Sequence, residues 1–87
     1  MDEAATRPVM FGAMWCGDCR RSKALLDRLD VDVEFIDLTE HPERAAEAQA
    51  VSGRPNIPVI VLGDGLVLVE PSDDELSAAL DERGLGS

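Results

Sequence analysis

The fold of this chain is organised around one stretch, Trp15-Cys16-Gly17-Asp18-Cys19-Arg20-Arg21, which contains both of its cysteines. The two thiols are separated by two residues and lie between an apolar segment and a helical pattern. Neighbouring positions on one helical turn bring two sulfur atoms close enough to form and break a disulfide. The start of a helix also presents unpaired N–H groups and a positive dipole end, which favour a thiolate over a thiol. The stretch therefore predicts a redox-active pair of cysteines.

The composition limits what the chain can be. Its 87 residues make one domain, residues 1–87, with a mainly aliphatic core, since the chain has two Phe, one Trp and no Tyr. The net charge of −10 repels nucleic acid and anionic lipid surfaces, so we expect neither as a partner. The acidic surface either steers a basic partner or is simply solvated.

Nothing in the sequence predicts a membrane span or an exported chain. The longest apolar runs, Val59–Leu62 and Leu66–Val69, have four residues each, against the roughly 20 that a spanning helix needs. The segment Met1–Arg7 is acidic and lacks the apolar centre of a secretory signal. We therefore expect a cytoplasmic protein, in which a cysteine pair is catalytic or metal-binding more often than structural.

Local patterns predict elements in the order βαβαββα. Strands are expected at 8–11 and 33–37, with a helix over 17–29 between them, and a second helix is expected from Pro42 to Val51. The apolar runs at 59–62 and 66–69 predict a hairpin with strands covered on both faces, and a capping box over 72–75 begins a last helix. The first two strands must be parallel and the last two antiparallel. The expected fold class is α/β, with a four-stranded mixed sheet flanked by helices.

These features together resemble the glutaredoxin branch of the thioredoxin-fold superfamily, and most of all its mycoredoxins and related small redoxins of actinobacteria. The matching pieces, in chain order, are Trp15-Cys16-Gly17-Asp18-Cys19, Ile57-Pro58 ahead of a strand, the Asp64-Gly65 hairpin and Glu70-Pro71-Ser72 ahead of the last helix. The resemblance covers Pro8 to Leu80 and implies a thioredoxin-like domain. It also implies a cis peptide between Ile57 and Pro58, which would place backbone beside the active-site sulfur.

The resemblance implies a thiol–disulfide oxidoreductase that reduces mixed disulfides between client proteins and a low-molecular-weight thiol. Cys16 would attack the mixed disulfide, and Cys19 would then displace it or hold the oxidised state. We expect a monomer with no metal and no organic cofactor, supplied with electrons by the thiol and its reductase. The alternatives are a dithiol electron donor to one enzyme, such as ribonucleotide reductase, and an iron–sulfur cluster carrier joined through Cys16 of two chains.

Two departures from the family bear on the identity of that thiol. Many glutathione-binding glutaredoxins carry a Gly-Gly pair before the last helix and a Lys shortly before the first cysteine. This chain has Val69-Glu70-Pro71-Ser72 and Gly12-Ala13-Met14-Trp15 in those regions. The glutathione contacts of the family therefore do not transfer as a set, and a mycothiol-type thiol or a protein partner is favoured over glutathione.

Several residues around the cysteines are candidates for binding a thiol or a client. Trp15 either forms a flat apolar flank for the substrate or packs partly in the core. Arg54 either pairs with a carboxylate of the thiol or is an ordinary surface residue, and Ile57-Pro58 is implied by the resemblance to face the sulfur. Ser72 and Asp73 begin the last helix, whose N–H groups suit an anionic ligand, although capping alone also explains Ser72.

Charged residues beside Cys16 are expected to tune its acidity. A carboxylate at 4 Å destabilises a thiolate by about 1 kcal/mol in water, while a helix N-terminus stabilises it by roughly 0.3–1 kcal/mol. Asp18 thus either makes the Cys16 thiol less acidic than the corresponding thiol of a site with Tyr at this position, or it is a solvated residue at the start of the helix. Arg20 and Arg21 offset Asp18 if they face the sulfur.

Overall fold

Four short strands and three helices follow one another along residues 7–85, the part of the chain that the computed structural model describes. The strands are β1 (Val9–Gly12), β2 (Glu34–Asp37), β3 (Val59–Val61) and β4 (Val67–Val69). The helices are α1 (Gly17–Arg28), α2 (Ala45–Ser52) and α3 (Asp73–Glu82). The predicted order βαβαββα is confirmed. Residues 1–6, on which most of the prediction about a secretory signal rests, lie outside the described residues.

The strands form one mixed sheet in the order β2-β1-β3-β4. Strand β1 is parallel to β2, whereas β3 is antiparallel to both β1 and β4, as the connections predicted. Phe11 pairs with Val59 across β1 and β3. One step beyond that pair, Gly12 and Pro58 therefore lie at the same end of the sheet. This register brings the chain before Cys16 next to the proline loop.

Both faces of the sheet are covered, as the continuous apolar strands predicted. Alternate residues of a strand point to opposite faces, so Met10 and Phe11 belong to different clusters. The larger cluster is shared by the central strands, α1 and α3, and its buried aliphatic members include Met10, Leu25, Leu26, Ile60, Leu62, Leu76 and Leu80. The smaller one joins Phe11, Ile36 and Val59 to Ala48 of α2. Two of the three helices thus pack on the face that also buries Cys19.

The start of α3 agrees with the prediction from the sequence, whereas the start of α2 differs from it. Ser72 Oγ accepts a hydrogen bond from Glu75 N at 3.1 Å, and Glu75 Oε1 accepts one from Ser72 N at 2.9 Å. This predicted capping box is worth about 1 kcal/mol of stability. Pro42 begins a 3₁₀ turn, Pro42–Arg44, rather than α2 itself. Among the described residues, no helix is both long enough and apolar enough to cross a membrane.

Candidate active site

The two cysteines occupy different environments at the start of α1. Cys16 is the N-cap residue, half-buried, with its N–H donating to Ala13 O at 3.1 Å and its carbonyl accepting from Arg20 N at 3.0 Å. Cys19 lies one turn into the helix, and its side chain is fully buried in the larger core cluster. Both are free thiols. A disulfide in solution can therefore reach Cys16, whereas Cys19 is screened by the core.

Burial also changes the acidity of the Cys19 thiol. Burial raises the pKa of the Cys19 thiol from its ordinary 9.0 to about 12. A backbone hydrogen bond from Ala13 acts in the opposite sense, while the hydrogen bond and charge of Cys16 and the charge of Asp18 raise the pKa further. Cys19 therefore keeps its proton at neutral pH and stands as a hydrogen-bond partner beside Cys16.

Close packing between β1 and α1 depends on Gly12, a residue that the sequence analysis did not single out. A Cβ at this position would lie 2.9 Å from Cys19 Sγ, 3.3 Å from Cys19 Cβ and 3.4 Å from Phe35 Cε1. No other side chain fits without displacing the Cys19 thiol or the helix. A glycine at the end of the strand that precedes the cysteines was the available signal.

An open cleft borders the loop that leads into Cys16. Its volume is about 410 Å³, and its walls include Trp15, Leu38, Pro55 and Ile57. Trp15 is 72% exposed and Met14 47% exposed, so neither is a core residue. The predicted residues Trp15 and Ile57 thus meet at one surface, on opposite sides of the cleft.

A smaller cleft of about 150 Å³ shares Leu38, Pro55 and Ile57 with the first one, and Arg54 and Asn56 lie in its wall. Arg54 therefore lies along the same groove as Trp15, and its guanidinium has no partner among residues 7–85. The Ile57-Pro58 peptide is cis, as the resemblance implied.

Ser72 and Asp73 stand at the start of α3, and Arg21 of α1 contacts Asp73 and the neighbouring Pro71. Arg21 Nη1 donates to Asp73 Oδ1 at 2.7 Å, and its Nη2 donates to Pro71 O at 3.2 Å and to Asp18 Oδ1 at 3.4 Å. The carboxylate of Asp73, followed by that of Asp18, raises the pKa of the Arg21 guanidinium. One guanidinium thus partly neutralises both carboxylates.

Arg20, which was predicted to tune Cys16, is placed differently. Its Nη1 donates to Met14 O at 2.7 Å, so it fastens the loop before Cys16 rather than pairing with Asp18. Of the two arginines expected to offset Asp18, Arg21 contacts its carboxylate. Asp18 and Arg21 are three residues apart and are neighbours on the helix surface, whereas Asp18 and Arg20, two residues apart, do not face each other.

The family model of the glutaredoxins matches residues 9–67 of this chain. The chain belongs to the glutaredoxin family. A Mycobacterium tuberculosis protein named for this family is 33% identical over 73 residues, which make up 82% of this chain and 86% of that protein. A Pseudomonas aeruginosa glutaredoxin is 36% identical over 56 residues, which make up 64% of this chain and 67% of that protein.

Solved glutaredoxin structures have the same fold. The crystal structure of an Archaeoglobus fulgidus glutaredoxin matches with a TM-score of 0.74 at 23% identity, covering 90% of this chain and 92% of that one. The solution structure of a Brucella melitensis glutaredoxin matches with a TM-score of 0.64 at 31% identity, covering 97% and 87%. The fold is thioredoxin-like α/β, and as a glutaredoxin the protein is a thiol–disulfide oxidoreductase.

The departure from the family before α3 has a structural counterpart. In the region where many glutathione-binding glutaredoxins carry Gly-Gly, this chain has Val69-Glu70-Pro71-Ser72, and Glu70 has a φ of 50°. That left-handed conformation suits glycine and is uncommon for other residues. The sequence analysis noted the substitution but gave Glu70 no role.

The described residues also bear on metal binding. Within residues 7–85, no three or more His, Cys, Asp or Glu side chains are grouped so that they could hold a metal ion. A tetrahedral zinc site needs four ligands, so Cys16 and Cys19 do not form such a site with other residues of this range.

Proposed function

We propose that this glutaredoxin reduces mixed disulfides between client proteins and a low-molecular-weight thiol, with Cys16 as the attacking group. The observation that supports this most directly is the unequal placement of the two thiols. Cys16 is accessible at the N-terminus of α1, whereas Cys19 is fully buried with its pKa raised to about 12. The thiolate is the nucleophile in disulfide exchange, so the accessible cysteine carries the reaction.

In the first step, the Cys16 thiolate attacks the sulfur of the small thiol in the mixed disulfide. The client sulfur leaves as a thiolate and takes a proton from water, and a new disulfide joins Cys16 to the small thiol. In the second step, another molecule of the small thiol, as its thiolate, attacks this disulfide. The products are the oxidised small thiol and the regenerated Cys16 thiolate. The cycle consumes one external small thiol, whose sulfur forms the new disulfide with the small thiol taken from the client, and the client sulfur ends as a reduced thiol.

Cys19 provides a slower second route. Its attack on Cys16 would release the small thiol and close a disulfide between the two cysteines, but Cys19 must first lose its proton. Bonding of Cys16 to the small thiol removes the charge and hydrogen bond that raise the pKa of Cys19, whereas burial, the largest cause, remains. We therefore propose that the external thiol, rather than Cys19, resolves most of the mixed disulfide.

A mycothiol-type thiol is the proposed reductant, with glutathione as the alternative. The groove beside Cys16 offers apolar surface from Trp15 and Ile57, and the guanidinium of Arg54, which has no partner among residues 7–85. The Gly-Gly pair and the Lys of many glutathione-binding relatives are absent from the sequence. The cytoplasmic location and the monomeric state remain predictions.

The decisive experiment compares Cys16→Ser and Cys19→Ser in the reduction of a peptide mixed disulfide. Mycothiol, glutathione and a thioredoxin reductase are supplied as reductants in parallel assays. Cys16→Ser should fall to the uncatalysed rate with every reductant, and Cys19→Ser should keep turnover with a small thiol.

Loss of turnover in Cys19→Ser would contradict the proposal and favour a dithiol electron donor to one enzyme. A folded control is needed because Cys19 is a core residue, so each variant is first checked for the cooperative unfolding of the parent. Visible absorption of protein purified without oxygen tests the cluster carrier, since a colourless and fully active protein excludes that function.

A further inference from the structure

Glu70 adopts a backbone conformation that its residue type does not favour. It follows β4 and precedes Pro71, and its φ of 50° lies in the left-handed region. Its N–H donates to Pro58 O at 2.9 Å, which holds the residue directly opposite the cis proline. Glycine adopts this conformation at no steric cost, so the presence of a glutamate calls for an account of its side chain.

The Glu70 side chain is directed to the loop that forms one wall of the groove. Its Oε1 accepts a hydrogen bond from Asn56 Nδ2 at 3.2 Å, and Asn56 lies in the wall of the smaller cleft between Arg54 and Ile57. The side chain remains exposed, so its charge faces water and any molecule bound nearby. The carboxylate therefore lies against the loop that carries Pro58, next to a residue in the wall of the groove.

The charge of Glu70 is not neutralised by a neighbour. Asp18 and Asp73 share the guanidinium of Arg21, whereas no basic side chain among residues 7–85 pairs with Glu70. Its described side-chain partner is the neutral amide of Asn56. A group bound near Pro58 thus meets an uncompensated negative charge.

We propose that Glu70 is a specificity-determining residue that disfavours anionic groups, and favours cationic ones, on the small thiol that Cys16 removes. The proposal rests on the proposed reduction of mixed disulfides. Arg54, on the loop that precedes Pro58, lies in the wall of the smaller cleft and exerts the opposite preference at that end of the groove. A neutral thiol, such as a sugar-linked one, is unaffected by Glu70, which accords with the proposed mycothiol-type reductant.

The test uses three mixed disulfides of one neutral reporter peptide that differ only in charge. Their small thiols are 2-mercaptoethanol (neutral), cysteamine (cationic) and 2-mercaptoethanesulfonate (anionic). Glu70→Gln keeps the side-chain length and an oxygen for Asn56 but removes the charge. We expect it to raise kcat/KM for the anionic substrate about three- to sixfold and to lower it similarly for the cationic one. That factor corresponds to one unit charge at about 4 to 6 Å through water.

Two further variants separate a local charge effect from other causes. Asp81→Asn removes an exposed carboxylate near the far end of α3, about 12 Å along the helix from Asp73, and should leave all three rates unchanged. Glu70→Gly removes the charge together with the unfavourable conformation, and it should reproduce the shift between the anionic and cationic substrates. High salt should shrink that shift in both Glu70 variants.

The outcomes for Glu70 and for the proposed function are distinguishable. Reduction of the neutral mixed disulfide by the parent protein tests the function itself. An equal change for all three substrates in Glu70→Gln, or no change, overturns the specificity role while leaving the function intact. A parent that reduces none of the three overturns both.

Discussion

Replacement of Gly12 by alanine tests how closely the cysteine helix packs on the sheet. The new Cβ would lie 2.9 Å from Cys19 Sγ and 3.3 Å from Cys19 Cβ, against about 3.5–4.0 Å for an ordinary contact between carbon atoms. Sulfur is larger than carbon, so the overlap with Sγ is at least about 0.6 Å. Cys19 is fully buried in a close-packed core, so either its thiol or α1 must shift.

The expected cost follows from the size of that overlap. Overpacking a core by one methyl group destabilises a protein by typically about 1–3 kcal/mol, and the loss of glycine entropy in the unfolded chain returns about 0.4–1 kcal/mol. We expect Gly12→Ala to lower the free energy of unfolding by about 1–2 kcal/mol. This is a large part of the roughly 4–13 kcal/mol typical of a chain of this length.

The assay is urea unfolding under reducing conditions, so that both thiols remain free, on four proteins: the parent, Gly12→Ala, Cys19→Ala and the double variant. Cys19→Ala removes the sulfur that the new methyl group overlaps, so the cost of Gly12→Ala should fall by about 1 kcal/mol in that background. Gly17→Ala is the matched control, because its Cβ would meet only Arg20 Nη2, at 3.8 Å. A coupling energy within about 0.5 kcal/mol of zero would refute the steric argument.

Three further predictions concern stability, pH and substrate charge. Ser22 is fully buried and its Oγ has no hydrogen-bond partner within residues 7–85, so Ser22→Ala should raise the free energy of unfolding by about 1 kcal/mol in urea; a loss contradicts this. The pKa of the Cys19 thiol rises from 9.0 in the unfolded chain to about 12 in the folded protein. The stability that comes from this difference is present below pH 9 and is lost as the pH rises towards 12. In urea unfolding at increasing pH, the free energy of unfolding of Cys19→Ser should therefore decline less steeply than that of the parent. Arg54→Gln should lower kcat/KM for the mercaptoethanesulfonate substrate about threefold and leave the mercaptoethanol substrate unchanged; equal losses would indicate a structural role.

Most of the fold could be predicted because its signals are local. The helical spacing of Leu25 and Leu26, the turn at 63–65 and the capping box over 72–75 each depend on residues a few positions apart. The parallel and antiparallel directions follow from the lengths of the connections. The start of α2 differs by three residues because Pro42 begins a 3₁₀ turn, and both kinds of helix accept proline in their first turn.

The candidate site was predictable in part. Cys16, Cys19, Trp15 and the Ile57-Pro58 pair follow from motifs and from the resemblance to glutaredoxins, and the structure brings them to one end of the sheet. Arg20 and Arg21 were both expected to offset Asp18, and Arg21 is the one that contacts it. The spacing of three residues within α1 favours that pair, whereas the contact of Arg21 with Asp73 depends on where α3 packs.

The sequence by itself predicted the reaction class, because the cysteine pair, the helix after it and Ile57-Pro58 ahead of a strand are local patterns that together resemble the glutaredoxins. Tertiary structure decided which thiol is accessible, since only packing of α1 on the sheet buries Cys19 and makes Gly12 necessary. It also decided that Arg21 meets Asp73, 52 residues away, and that Glu70 meets Asn56. Such contacts join residues distant along the chain, and their energies depend on distances that no local pattern contains.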